Sequence, residues 1–97
     1  MQKRSFVYIM TCPDKSVLYT GVKSDLADRI GKHKTKFYPD SFSARYNCVI
    51  LVYFQECSSI IEAITEEKRI KAGNREQKIA LINSINPEWI DLADKLF

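Results

Sequence analysis

Ninety-seven residues, 45% of them hydrophobic, suffice for one globular domain over 1–97, since a chain of this length buries roughly two thirds of its unfolded surface. No apolar run approaches the ~20 residues of a bilayer span, and the run from Phe6 to Met10 falls short of the ~7–15 of a signal-peptide core, so a soluble cytoplasmic protein without membrane association is expected. A net charge of +3 is too mild to demand a polyanionic partner, the single histidine rules out a site of several imidazoles, and three cysteines without C-x-x-C spacing suggest neither a disulfide framework nor a cysteine zinc site. Any metal is then held by oxygen ligands, which points to magnesium or manganese.

Phe6 to Thr11 and Ser16 to Val22 are rich in β-branched and aromatic residues, and Cys12-Pro13-Asp14-Lys15 between them carries turn chemistry. The pattern predicts a hairpin. With a loop of those four residues, Tyr8 lies directly across from Tyr19 on one face of the sheet. Ser24 or Asp25 then caps a helix over about Leu26 to Lys36, with Leu26, Ile30 and Phe37 on its inner stripe. At ~100° per residue, Arg29 and His33 border that stripe on the side turned toward the sheet, while Asp28 and Lys32 point away. Two tyrosines, a cation and an imidazole thus converge on a possible acid/base site.

Phe37 to Asn47 reads as a polar and aromatic connection, and Val49 to Phe54 as a buried third strand. Helices are expected from about Ser59 to Lys71 and, after the Ala72-Gly73-Asn74 break, from Arg75 to Ile85 with Ile79, Ile82 and Ile85 facing inward. Asn86-Pro87 stops the last of these and starts a short terminal helix. Tyr53, Phe54 and Trp89 are assigned to the core. The order is β-β-α-β-α-α with a short terminal helix.

Charge is unevenly placed. Residues 1 to 36 hold eight basic against three acidic side chains, and the remainder seven against nine. A basic half around the tyrosines, including Lys23, Lys32, Lys34 and Lys36, favours an anionic partner such as nucleic acid. A solvated lysine-rich helix face accounts for the charge equally well.

The second helix places one carboxylate against the pattern. With Ile60 at zero, Ile64 falls near roughly 40°, Ala63 near 300°, Ile70 near 280° and Glu67 near 340°, so Glu67 stands in the apolar stripe while Glu62 and Glu66 fall on the solvent side. An unpaired carboxylate there costs several kcal/mol, so Glu67 needs a cation, a metal or a hydrogen-bond network. A structural ion pair with Arg29 is one way to meet that need.

Together these residues resemble the GIY-YIG nuclease family, particularly its small stand-alone members. Phe6-Val7-Tyr8 stands at the first motif and Tyr19-Thr20-Gly21 at the second, and Leu26 to Ile30 with His33-Lys34 matches the following helix. Leu51-Val52-Tyr53, Ala63 to Lys71 and Asn86 to Leu92 match later segments, so the resemblance spans nearly the whole chain. Phe6 replaces a glycine and Thr20 an isoleucine, Glu66 stands where an arginine is common, and Val22 stands where some members carry a lysine.

The resemblance implies an α/β (α+β) domain in which a small three-stranded antiparallel sheet is flanked by helices. It implies an endonuclease that hydrolyses phosphodiesters of nucleic acid, DNA first, with one Mg²⁺ or Mn²⁺ ion. Glu67 would be the protein ligand of that ion, Arg29 would neutralise transition-state charge, and Tyr8 or Tyr19, helped by His33, would take the proton from the attacking water. Asn86 corresponds to a late asparagine of some members, although helix capping also explains it. The competing reading is a nucleic-acid-binding module of the same fold with little or no activity.

Overall fold

The computed structural model describes residues 4–35 and 41–95, apart from the side chains of residues 42 and 43. The central strand β1, Ser5–Thr11, pairs antiparallel with β2, Leu18–Lys23, on one side and with β3, Ile50–Cys57, on the other. A central strand covered on both faces needs apolar residues at successive positions, and Val7 through Met10 are all buried. Val7 and Ile9 face one core, built with α3, Ile60–Ala72, and α4, Arg75–Ile85, through Ala63, Ile70 and Ile82. Tyr8 and Met10 face the other core, built with Leu26 and Ile30 of α1, Leu26–Lys34, and with Leu92 and Ala93 of a 3₁₀ turn over Leu92–Lys95. This is the expected three-stranded α+β arrangement.

The hairpin register differs from the expected one. Tyr8 pairs with Gly21 and Tyr19 with Met10, because the loop runs over Cys12 to Val17 and takes two residues out of the ladder. Asp14 Oδ1 accepts from the Ser16 amide at 3.0 Å and its hydroxyl at 2.7 Å, and Thr11 Oγ1 donates to the Val17 carbonyl at 2.8 Å. From α4, the Arg75 guanidinium donates to the Lys15 and Ser16 carbonyls at 2.7 and 3.0 Å. A shift of two residues preserves the strand's facing, so both tyrosines remain on the α1 side.

Asp25 caps α1 by accepting from the Asp28 amide at 3.0 Å. The helix stops at Lys34, where the Thr35 amide and hydroxyl both donate to the Gly31 carbonyl, so it is two residues shorter than expected. Lys36 and Phe37 lie outside the described residues. The connection before β3 holds a one-turn helix, α2, Phe42–Arg45, that was expected as loop; four residues are too few for a period to show.

On α3, capped by Ser59, Ala63 and Ile70 are buried while Ile60 and Ile64 are exposed, contrary to expectation. Ala63 and Ile70, buried with Val7 and Ile9, mark the line along which the helix meets the sheet, and the isoleucines lie off it. Glu66 and Glu67 then flank that line, both partly buried, so Glu66 is not the plain surface charge expected; Arg69 holds it at 2.8 Å. The same bonds keep the Glu66 carboxyl below its usual range, mainly through hydrogen bonding from Arg69.

The helix α4 has the expected bounds and a capping box in which the Gln77 amide donates to Asn74 Oδ1 at 2.8 Å and the Asn74 amide to Gln77 Oε1 at 2.9 Å. Ile82 is buried and Ile79 half-buried, but Ile85, in the last turn, is exposed and not inward. No helix starts at Pro87. The Trp89 amide bonds the Asn86 carbonyl at 3.0 Å, and Trp89 has φ 56°, a left-handed value that a helix cannot continue through. Tyr53 is buried as expected, while Phe54 and Trp89 are half-buried.

Opposite β1 the register of β3 slips between Ile9 and Met10, leaving Val52 as an extra residue in a β-bulge. Asn86 serves that bulge. Its buried side-chain amide donates to the Val52 carbonyl at 3.0 Å and the Ile90 carbonyl at 2.9 Å, and Oδ1 accepts from the Ile90 amide at 3.1 Å. Asp91 adds a second tie, accepting from the Leu51 amide at 3.2 Å and pairing with Lys34 of α1.

Candidate active site

Strand β1 delivers Tyr8, β2 delivers Tyr19, and the last turn of α1 delivers His33 to one point on the α1 face of the sheet. The Tyr8 hydroxyl lies 3.0 Å from His33 Nε2. Ring centroids are 6.3 Å apart for Tyr8 and Tyr19, 5.8 Å for Tyr8 and His33, and 5.3 Å for Tyr19 and His33, a closed aromatic triangle with tilted or edge-on contacts. The Tyr8 ring is 1% exposed and His33 is buried, whereas Tyr19 is half-buried.

Gly21 makes the triangle possible. A Cβ atom there would stand 2.5 Å from the Tyr8 hydroxyl oxygen and 2.6 Å from Cζ, so the Tyr8 ring lies on the strand where any other residue would put a side chain. Gly21 had no assigned role in the sequence reading. A glycine in the middle of a strand pattern is nevertheless a signal of close approach.

Burial, the chief cause, raises the Tyr8 pKa above that of an ordinary phenol; Tyr19 and Glu67 add to the rise and Arg29 opposes it. The His33 pKa falls from 6.5 to about 4, first through burial and then through the positive charge of Arg29. Both groups are therefore neutral at neutral pH. Either tautomer of His33 completes the contact: unprotonated Nε2 accepts from the hydroxyl, or protonated Nε2 donates to it and leaves the hydroxyl hydrogen for Tyr19.

The lowered histidine makes stability depend on pH. Since unfolded chains bind a proton below pH 6.5 that the folded chain refuses until about pH 4, stability is full above the first value and declines toward the second. Allowing for the ring's remaining contact with solvent, urea midpoints should report a loss of about 1 kcal/mol over that window beyond the loss of a His33→Gln variant. Equal losses in both proteins would contradict it.

Arg29, one turn before His33 on α1, is half-buried, and its Nε is fully buried with no hydrogen-bond partner. A buried guanidinium N–H without an acceptor costs free energy that an anion would recover. Glu67 does not pair with Arg29; its side chain, 21% exposed, pairs with Lys71 at 3.4 Å. The α3 helix packs on β1 and β2, and the Glu67 charge acts on Tyr8. No group of three or more His, Cys, Asp or Glu is gathered among the described residues. A lone, partly buried carboxylate suits a hard cation completed by water and phosphate oxygens, as Mg²⁺ or Mn²⁺ is, and does not suit a closed protein cage.

The lysines are placed less uniformly. Lys23 is half-buried at the end of β2, and Lys32 pairs with Asp28 at 3.2 Å. Lys34 pairs with Asp91 and donates to the Val49 carbonyl at 2.8 Å, which is a structural tie. Asn86 spends its side-chain amide on the bulge and on the turn that follows it. No helix among the described residues is long and apolar enough to cross a membrane.

A family model described as the GIY-YIG catalytic domain matches residues 4–80. The chain is similar to a UPF0213 protein of Staphylococcus haemolyticus, 35% identical over 79 residues, which are 81% of this chain and 94% of that one. A UPF0213 protein of Clostridium perfringens is 38% identical over 84 residues, 82% of this chain and 84% of the other. The solution NMR structure of a UPF0213 protein from Bacillus halodurans superimposes with a TM-score of 0.58 at 27% identity, covering 91% of this chain and 92% of that one.

Proposed function

Because the chain belongs to the GIY-YIG family, we propose that it is a metal-dependent endonuclease that hydrolyses phosphodiester bonds of nucleic acid, DNA in the first place, as one cytoplasmic domain over residues 1–97. The observation that carries this reading is the buried, unpartnered Arg29 Nε beside the hydrogen-bonded Tyr8 and His33. A phosphate oxygen is the acceptor that this N–H lacks, and the guanidinium would hold charge as it grows on the phosphorus oxygens.

Of the two tyrosines, Tyr8 is assigned the base because its hydroxyl touches His33. Water would give its proton to the Tyr8 oxygen as the phenolic proton moves to neutral His33, so that no buried phenolate forms and the proton ends on the imidazole. Tyr19 packs over both rings and limits solvent entry. A single Mg²⁺ or Mn²⁺ held by Glu67 would, when bound, polarise a phosphate oxygen and steady the leaving oxyanion. Lys23 and Lys32 are assigned to the nucleic-acid backbone, and Lys36 with them. Lys34 and Asn86 are assigned to positioning.

Supercoiled plasmid should be nicked in Mg²⁺ or Mn²⁺ and left intact with chelator. Arg29→Ala should lower the rate by about 10²–10³-fold, and Glu67→Gln should raise the metal needed for half-maximal rate by about 10-fold. Cleavage unchanged in both variants would sink the assigned site. Salt-sensitive binding without cleavage would favour the binding-module reading.

A further inference from the structure

Positions four, seven and eleven residues after Ile60 share one helical stripe with it, and on α3 these are Ile64, Glu67 and Lys71. Ile60, Ile64 and the adjoining Ile61 are 46%, 38% and 75% exposed. Single exposed hydrophobes are ordinary, but three together on one helix form a patch of the kind that marks a contact. Lys68 and Lys71 border the patch and are exposed, and Lys71 also touches Glu67. The apolar patch and the cations therefore belong to one surface that leads to the proposed metal-binding carboxylate.

We infer that this face of α3 grips nucleic acid whose bases are unstacked, such as the single strands of a bubble or fork; the inference rests on the nuclease reading of the Tyr8 site. An intact duplex offers a protein surface phosphates and hides the apolar faces of its bases within the stack. Opened strands offer both. Lys68 and Lys71 take the backbone charge while the isoleucines meet base faces or wedge between loosened steps. Ile60 and Glu67 are about 10 Å apart along the helix axis, so the patch lies within the immediate neighbours of a phosphate at Glu67. Nucleotides flanking a phosphate at Glu67 are thereby led along the patch. A second copy fits less well, because a two-fold contact on this face would set both lysine pairs against their own kind.

Fluorescence anisotropy with chelator present would compare a fully paired DNA duplex with the same duplex carrying a central unpaired bubble. Wild-type protein should bind the bubble about 10-fold more tightly. Ile60→Ser/Ile61→Ser/Ile64→Ser should reduce that preference to under about 2-fold with duplex binding unchanged, and Lys68→Ala/Lys71→Ala should weaken both probes alike. The single change Ile61→Ser, at the most exposed position, should cut the preference by about 3-fold and stands in if the triple variant does not fold. A bubble preference that is absent in the wild type or survives the serine changes overturns the proposal. So does a wild-type dimer that the serine changes convert to monomer, since the occupant is then a second copy. Plasmid nicking in Mg²⁺ separates the two readings: bubble preference without nicking upholds this face and removes the nuclease, and nicking without bubble preference does the reverse.

Discussion

Replacing Tyr8 with phenylalanine is expected to keep the fold and to lower phosphodiester cleavage by about 10²–10⁴-fold. The ring would still fill its buried place between Tyr19, His33 and Gly21, so what is removed is the hydroxyl 3.0 Å from His33 Nε2. Losing that contact strands one buried imidazole nitrogen, a cost of about 1–3 kcal/mol in stability. The same reading sets the sign of the pH dependence. With His33 held down near 4 the imidazole is already the neutral proton acceptor at neutral pH, and burial keeps the Tyr8 phenol protonated, so the rate should stay level from neutral toward alkaline pH and fall on the acid side as pH approaches 4. A stopped-assay pH profile of wild type and Tyr8→Phe checks both parts. Rates equal in the two proteins, or a wild-type rate that climbs or falls steeply just above neutral pH, would return Tyr8 to the core as a structural aromatic.

Gly21→Ala tests the same ring from beneath. The added methyl would lie 2.5 Å from the hydroxyl oxygen and 2.6 Å from Cζ, whereas carbon contacts settle near ~3.5–4.0 Å, so the ring must move by roughly 1 Å. There is little room, because the ring is buried and has His33 and Tyr19 beside it. Overpacking of this kind costs about 1–3 kcal/mol, and a catalytic group misplaced by about 1 Å costs about 10²-fold in rate. Urea melts and plasmid nicking would read the two effects. The neighbour Thr20, which pairs with Ile9 on the other face of the sheet, provides a control: Thr20→Val, which adds no bulk against Tyr8, should keep the rate within a few fold. An alanine protein with wild-type rate and stability would mean that the ring is not held as described.

The elements were legible where local chemistry decides them. Asp25, Ser59 and Asn74 each stand at a helix start and each accept from a backbone amide there. The hairpin strands and the third strand are marked by their β-branched and aromatic runs, although the apolar run of Val49 to Phe54 falls on an edge strand and the central, buried strand is β1. The face of Arg29 and His33 followed from helical spacing alone. What escaped depended on partners distant in sequence. The longer hairpin loop is tied by Asp14 within it, by Thr11 at its edge and by Arg75, which reaches it from about sixty residues away. The inner face of α3 runs through Ala63 and Ile70, which is missed when the large Ile60 and Ile64 are given the inner positions. Tyr8 and Tyr19 still met because the error in register was even.

The ties made by Lys34, Asp91, Leu92 and Ala93 bear on how the protein is born. The helix carrying Arg29 and His33 is docked against β3 and the segment from Asp91 to Ala93, so its seating waits for residues synthesised some sixty positions later. Tyr8, Tyr19, Arg29 and His33 all leave the ribosome early, yet Glu67 and then this closing segment must follow before they are held together. On the proposed nuclease reading, a nascent chain would carry Tyr8, Tyr19, Arg29 and His33 before the segment that holds their helix in place has been made, and would stay inactive until that segment docks.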